Sequence, residues 1–231
     1  MKKLLFILIL FCSIQGFGQI KGMWRLDGNS NDASGSGNNG TDTNITYSQA
    51  NGRLNQGAGF NGSNSKIYNF SSNISPSGSS RTISVWFKTG STVRQGLAGT
   101  RAPSEPPYVG WVLTLNQGST ANGLSYFHTG VGSNVWSGYT IPLNTWVYGT
   151  VTYDYTNQIA KIYINGILKI SQSLGRDNAS TRKGCIGQEQ ESNTEVFNGS
   201  IDEVIIDNTV WSPAKIKNYY LLTSQKFPWQ N

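Results

Sequence analysis

Two cysteines, one histidine and 12 acidic residues are all that 231 positions supply of the side chains that most often ligate metals or do acid–base work. Each shortage excludes something. Cys12 sits in the opening stretch MKKLLFILILFCSIQGFG, where Lys2 and Lys3 precede an apolar run from Leu4 to Cys12 and small Gly16 and Gly18 follow. That is the layout of a secretory signal peptide spanning residues 1–18 and cleaved before Gln19. The run is short for a membrane span, which needs about 20 residues, and no second long apolar segment follows. The expected location is secreted, periplasmic or cell-surface. The mature chain then keeps only Cys185, so no internal disulfide is expected, and core packing, a bound metal or both must hold the domain. Cys185 also has no second cysteine or histidine nearby in sequence for a thiolate metal site. His128 has no GxSxG elbow to serve as the base of a Ser-His-acid arrangement.

Charge is scarce as well. Loss of Lys2 and Lys3 lowers the net charge from +6 to +4, 16 basic against 12 acidic residues, and the basic residues form no run of the kind that grips nucleic acid. No glycine-rich loop leads into a long helix, and there is no βαβ rhythm.

What is present is a succession of short alternating runs separated by turn residues. The clearest are GMWRLDG (22–28), RTISVWFK (81–88), YVGWVLTL (108–115), GLSYFH (123–128), TWVYGTVTYD (145–154), QIAKIYING (158–166) and GSIDEVIID (199–207). Weaker runs lie at 57–62, 66–70, 95–100, 167–171 and 183–188. About a dozen strands are too many for one open sheet, and two packed sheets bury one face of each. Residues 19–222 therefore read as one all-β, antiparallel two-sheet sandwich, with 223–231 as a tail. The stretch 29–44 is a polar surface loop expected to bury little. In WSPAKIKNYYLL (211–222), Ser212 can cap and Pro213 can open one short C-terminal helix, with Ile216, Tyr219 and Tyr220 facing the sandwich.

The acidic stretch FNGSIDEVIID (197–207) is the natural place to look for catalysis. Glycoside hydrolysis needs two carboxyls on one cleft, about 5–5.5 Å apart or 6.5–9.5 Å apart according to stereochemistry. Strand alternation sends Asp202 and Glu203 to opposite sides, and leaves Glu203 and Asp207 at the surface or strand edge. No other strand carries two acids on one face, so a glycoside hydrolase is the weakest of the functional readings. Calcium fits better, because it draws oxygen ligands from carboxylates, amides, carbonyls and water. Asp27, Asp32 and Asp202 are the candidate ligands: Asp27 ends the first strand, Asp32 follows in the polar loop, and Asp202 lies on a late strand that can neighbour the first. No contiguous DxDxDG loop is present. Aromatic faces suit sugars. Trp24, Trp86 and Trp146 read as core or sheet-edge residues, whereas Tyr108, Trp136 and Tyr139 lie in loop-like segments and are the candidate ligand contacts.

Five segments together resemble, in order, the laminin G-like family of the concanavalin A-like jelly rolls. They are WRLDGNSNDASGSGNNGT (24–41), GAGFNGS (57–63), RTISVWFK (81–88), NTWVYGTVTYDYTNQIAKIYINGIL (144–168) and FNGSIDEVIIDNTVWSPAKIKNYY (197–220). The resemblance implies a concanavalin A-like jelly-roll sandwich with one curved face, used for carbohydrate binding or adhesion and often holding a structural calcium. The positions matching that ion are Asp27 and Asp202, with Asp32 nearby. The glycosidases of this broad fold carry ExDxxE or ExDxE on one strand, and nothing here matches. The expected partner is a polysaccharide or cell-surface glycan, or alternatively a surface protein bound by a structural or interaction domain; nucleic acid and a transmembrane segment are not expected.

Overall fold

The computed structural model describes residues 20–70, 74, 79–100, 110–116, 123–128, 134–177, 183–189 and 195–225. The signal segment and Tyr108 lie outside them. The strands in chain order are β1 (Ile20–Trp24), β2 (Thr41–Thr43), β3 (Thr46–Ser48), β4 (Gly57–Asn61), β5 (Lys66–Phe70), β6 (Arg81–Thr89), β7 (Gln95–Gly99) and β8 (Trp111–Leu115). They continue with β9 (Leu124–His128), β10 (Asn134–Trp136), β11 (Val147–Asp154), β12 (Ile159–Ile164), β13 (Ile167–Ser173), β14 (Gly184–Ile186) and β15 (Asn198–Asp207), and the helix α1 (Pro213–Ser224) closes the described chain.

The strands form two antiparallel sheets. One has the order β13-β12-β11-β6-β15-β4-β3, with β1 also paired to β15; the other runs β10-β9-β8-β7-β14-β5-β2. Alternation explains the layering. On β6, Ile83, Val85 and Phe87 enter the core between the sheets, and Trp86 on the same strand belongs to a second apolar cluster outside it. That second cluster, Trp86, Tyr148, Tyr163, Ile205, Trp211 and Ile216, is the layer on which α1 docks. Tyr219 and Tyr220 stack on Tyr148 with centroids 5.8 and 6.2 Å away. Burial of one such aromatic side chain stabilises by about 1.5–3 kcal/mol. Ser212 caps the helix through its Oγ, which accepts from the Lys215 N–H at 3.1 Å, and Pro213 occupies the first turn.

Three expectations change. The helix runs past Leu222: Thr223 is buried, and its Oγ accepts from the Trp86 indole N–H at 2.9 Å. The polar loop 29–44 is not merely surface, since Ser30 and Asn38 are buried and the Asn38 carbonyl accepts from the Trp24 indole N–H at 3.0 Å. Polar side chains satisfied within the loop let it fold onto an apolar residue without apolar residues of its own. The third change concerns β15. Its register against β6 shifts between Asp202 and Ile205, and Glu203 has φ +50°. This is a bulge, in which one extra residue interrupts alternation. Asp202 pairs opposite Trp86, Ile205 joins the layer under α1, and Glu203 accepts from the Tyr219 hydroxyl of α1. Both acids therefore face α1's side of the sheet, not opposite sides. Glu203 and Asp207 are also buried, not surface residues.

The bulge falls where β15 changes neighbour. Residues 198–201 pair with β4, whereas 204–207 pair with β1. Between those two partners the chain supplies Asp27, just after β1, and the turn 53–56, just before β4.

Candidate functional site

Asp27 and Asp202 both grip that turn. Asp202 is fully buried; one carboxylate oxygen accepts from the Arg53 and Leu54 N–H groups at 2.7 and 3.0 Å, and the other from the Glu203 N–H at 2.9 Å. These bonds replace the strand partner that β15 lacks at the bulge. Asp27, which is exposed, accepts from the Gln56 N–H at 3.1 Å. Burial drives the Asp202 pKa up to about 8 against the opposing pull of its N–H donors. Asp202 makes no ion pair among the described residues; the Arg53 guanidinium lies over the Trp86 ring at 4.7 Å and donates to the Ser224 carbonyl at the end of α1.

Asp32 does not join them. Its two oxygens accept from the N–H groups of Met23, Ser34 and Asn38, each at 2.9 Å, and so fasten the 29–44 loop to β1. Burial raises its pKa, but those bonds outweigh it and the net shift is downward. The sequence grouped Asp32 with Asp27 because they are five residues apart, and the loop carries it elsewhere. No set of three His, Cys, Asp or Glu side chains is placed to hold a metal among the described residues. The Asp27–Asp202 turn does present two carboxylates, hard oxygen donors of the kind that suit calcium.

The remaining acids of β15 are committed to α1. Asp207 Oδ2 accepts from the Trp211 indole N–H at 2.6 Å and lies 3.5 Å from Lys215 Nζ, while Oδ1 accepts from the N–H and hydroxyl of Thr209. Glu203 Oε2 accepts from the Tyr219 hydroxyl at 3.1 Å, and burial raises the Glu203 pKa. These carboxylates seat a helix instead of facing a cleft.

Of the aromatic candidates, Trp136 ends β10, an edge strand of the second sheet, and its side chain is 46% exposed. The sequence read 130–140 as loop; three of those residues pair with β9, Trp136 opposite Ser125. Tyr139 is half-buried against the core, and Lys169 Nζ from β13 stands 4.7 Å over its ring. Gln172 of β13 donates to the Asn134 carbonyl of β10 at 3.4 Å, which brings the edges of the two sheets together beside Trp136. Trp24 and Trp86 are core residues, as expected, and Trp146 is half-buried beneath Lys88 Nζ at 5.2 Å.

One cluster escaped sequence reasoning. Arg81 and Asp177, both buried, form an ion pair at 2.5 Å. Arg81 also donates to the Tyr126 hydroxyl at 3.3 Å and lies 5.2 Å over Tyr153. His128, for which the sequence offered no nucleophile elbow, is fully buried in the same group: its Nε2 meets the Gly175 carbonyl at 2.7 Å, and its ring meets Tyr153 edge-on at 4.8 Å. Tyr153 Oη donates to that same carbonyl at 2.8 Å. Burial pushes the His128 pKa down to about 4, Asp177 opposing and Arg81 reinforcing. No serine or cysteine nucleophile among the described residues is bonded to His128. The one available signal was Arg81 itself, a charge at the head of a strand whose alternate residues Ile83, Val85 and Phe87 are apolar.

The chain belongs to the concanavalin A-like lectin/glucanases superfamily, whose laminin G family model matches residues 61–217. Its fold is shared by domain 4 of AbnA, a GH43 extracellular arabinanase from Geobacillus stearothermophilus solved with arabinotriose, at 22% identity and TM-score 0.70, over 91% of this chain and 100% of that one. It is shared too by the binding domain of botulinum neurotoxin serotype G, at 18% identity and TM-score 0.67, over 93% of this chain and 54% of that one. A SAP-like pentraxin from Limulus polyphemus is similar at 15% identity and TM-score 0.53, over 63% of this chain and 71% of that one. The chain spans about half the length of the toxin domains it resembles. No curated protein matches. No helix among the described residues is long and apolar enough to cross a membrane.

Proposed function

We propose that this protein is a secreted, non-catalytic carbohydrate-binding or adhesion module, stabilised by a calcium ion at the turn held by Asp27 and Asp202. The observation that carries the reading is the division of labour between two regions. The acid-rich strand β15 is sealed beneath α1, whereas an indole stands exposed on the free β10 edge. Sealed, hydrogen-bonded carboxylates cannot approach a glycosidic bond from two sides, and an exposed indole offers an apolar face to a pyranose or furanose ring. The shared fold of the arabinanase domain solved with arabinotriose supports the same direction. At the turn, calcium would supply positive charge to two carboxylates, of which Asp202 is buried without a paired cation.

Affinity electrophoresis against plant, algal and host polysaccharides, in calcium, tests it. Retention by at least one polysaccharide is expected, weakened about tenfold (~1.4 kcal/mol) in Trp136→Ala. Absence of retention across the panel would sink the reading. Ile167 and Leu168 on edge strand β13 are 54% and 47% exposed, and they favour protein docking as the second reading if no glycan binds.

A further inference from the structure

A cleft of about 790 Å³ opens at the other lateral edge of the sandwich, where β3 flanks β4 and β15. The strand orders place it away from Trp136. β10 and β13 end one side of the two sheets, and β2 and β3 end the other. The volume lies in the range of small-molecule sites.

Its lining is unusual in kind. None of the ten lining residues is charged, and four are asparagines: Asn44, Asn51, Asn61 and Asn64. Two of the amides act as braces. Asn61 Oδ1 accepts from the N–H groups of Ser63, Asn64 and Ser65 at 2.9, 3.0 and 3.2 Å, which fixes the loop forming one wall. Asn51 bridges the other wall, donating to the Thr46 carbonyl at 3.0 Å and accepting from the Ser200 hydroxyl at 3.1 Å. Gly59 and Gly199 leave the sheet bare between them. A Cβ on Gly199, at φ +141°, would meet the Lys88 carbonyl at 2.0 Å, so that position cannot acquire a side chain without moving β6. Asn64 Oδ1 accepts from Asn61 Nδ2 at 2.8 Å, whereas the Asn44 amide, the Asn64 Nδ2 and the Thr46 hydroxyl make no side-chain hydrogen bond among the described residues.

We infer that this cleft is a second binding site, for a neutral saccharide, on the edge opposite Trp136. A free amide offers a donor and an acceptor side by side, the pattern that vicinal hydroxyls complement. An acidic sugar or phosphate would call for a cation or converging charged donors, and a cationic ligand for carboxylates or an open aromatic face; the lining holds none of these. A peptide would need apolar recesses for its side chains, and Phe60, the one aromatic residue in the lining, is itself buried. Walls braced before the ligand arrives keep the ordering cost of binding low. With sites on two edges, one molecule can engage two glycan chains or two stretches of one chain, and avidity then exceeds either affinity.

The test is side-chain amide NMR of the ¹⁵N-labelled secreted chain titrated with arabinotriose, xylotriose, cellotriose, trigalacturonate and a neutral Gly-Ser tripeptide. At least one neutral trisaccharide is expected to shift the Asn44 and Asn64 NH₂ signals. Asn64→Ala should weaken that response about tenfold. Thr46→Tyr, an exposed position on a short edge strand, should block it while leaving spectral dispersion intact. Trp136→Ala should leave it unchanged, so this site and the Trp136 reading fail separately. No shift with any neutral sugar, equal binding by a folded Thr46→Tyr, or a response confined to trigalacturonate or the peptide overturns the inference.

Discussion

Burial without a full set of partners gives His128 its behaviour. Its Nδ1 has no hydrogen-bond partner among the described residues, and Asp177, Arg81, Tyr126 and Tyr153 surround the ring. A histidine whose folded pKa is about 4, below the usual 6.5, favours the neutral form in the fold. Its contribution to stability is present above pH 6.5 and is lost as pH falls through about 4. Melting temperature should therefore drop over that interval, and His128→Phe should flatten the drop by the equivalent of roughly 1–3 kcal/mol. Carboxylates titrate in the same window, so the readout is the difference between the two proteins. Parallel curves would show that His128 does not set the acid limit. None of this was legible from position 128 in the sequence, because its four neighbours come from β6, β9, β11 and the segment after β13.

At the scale of elements, β15 and α1 behave as one unit. The sequence showed both: an alternating run over 199–207, and Ser212-Pro213 opening a helix with Ile216, Tyr219 and Tyr220 on one face. It did not show that Glu203 is an extra residue. A bulge leaves the strand's composition untouched and changes only the pairing, which is set by two neighbours, β1 and β4, that are remote in sequence. Once alternation is broken, Asp202, Glu203 and Asp207 share a face and each bonds the segment that lies over it. The helix needs its cap because a helix of this length is marginal alone. Ser212→Ala should cost about 1 kcal/mol by chemical denaturation. An unchanged midpoint would mean that packing on Trp86 and Tyr148 alone fixes its start.

For the whole molecule, the open question is what closes a sandwich without a disulfide among its described residues. The closure lies at the Asp27–Asp202 turn, where two strands stop beside a third. A ligand that binds only the folded state stabilises by about 2.7 kcal/mol at a hundredfold excess over its Kd. Calcium should raise the melting temperature, a chelator should lower it, and Asp202→Asn should remove the difference. Identical melting with and without chelator, together with no metal by elemental analysis, would leave the hydrogen bonds to Arg53, Leu54 and Gln56 as the whole of that closure.

The sequence by itself determined the class of fold. Period-two alternation and turn residues are local, and a strand displays them wherever it sits. It also placed Trp24 and Trp86 in the core, since both lie within alternating apolar runs, but it did not single out Trp111 and Trp211, which are as deeply buried. Tertiary structure decided everything that depends on strands meeting: the buried Arg81–Asp177–His128 cluster, the placing of Asp32 apart from Asp27 and Asp202, the common face of the β15 acids, and the asparagine cleft. Each of these joins residues from separate strands and loops, several of them more than 90 positions apart, and pairing register is not written in any one of the segments it joins.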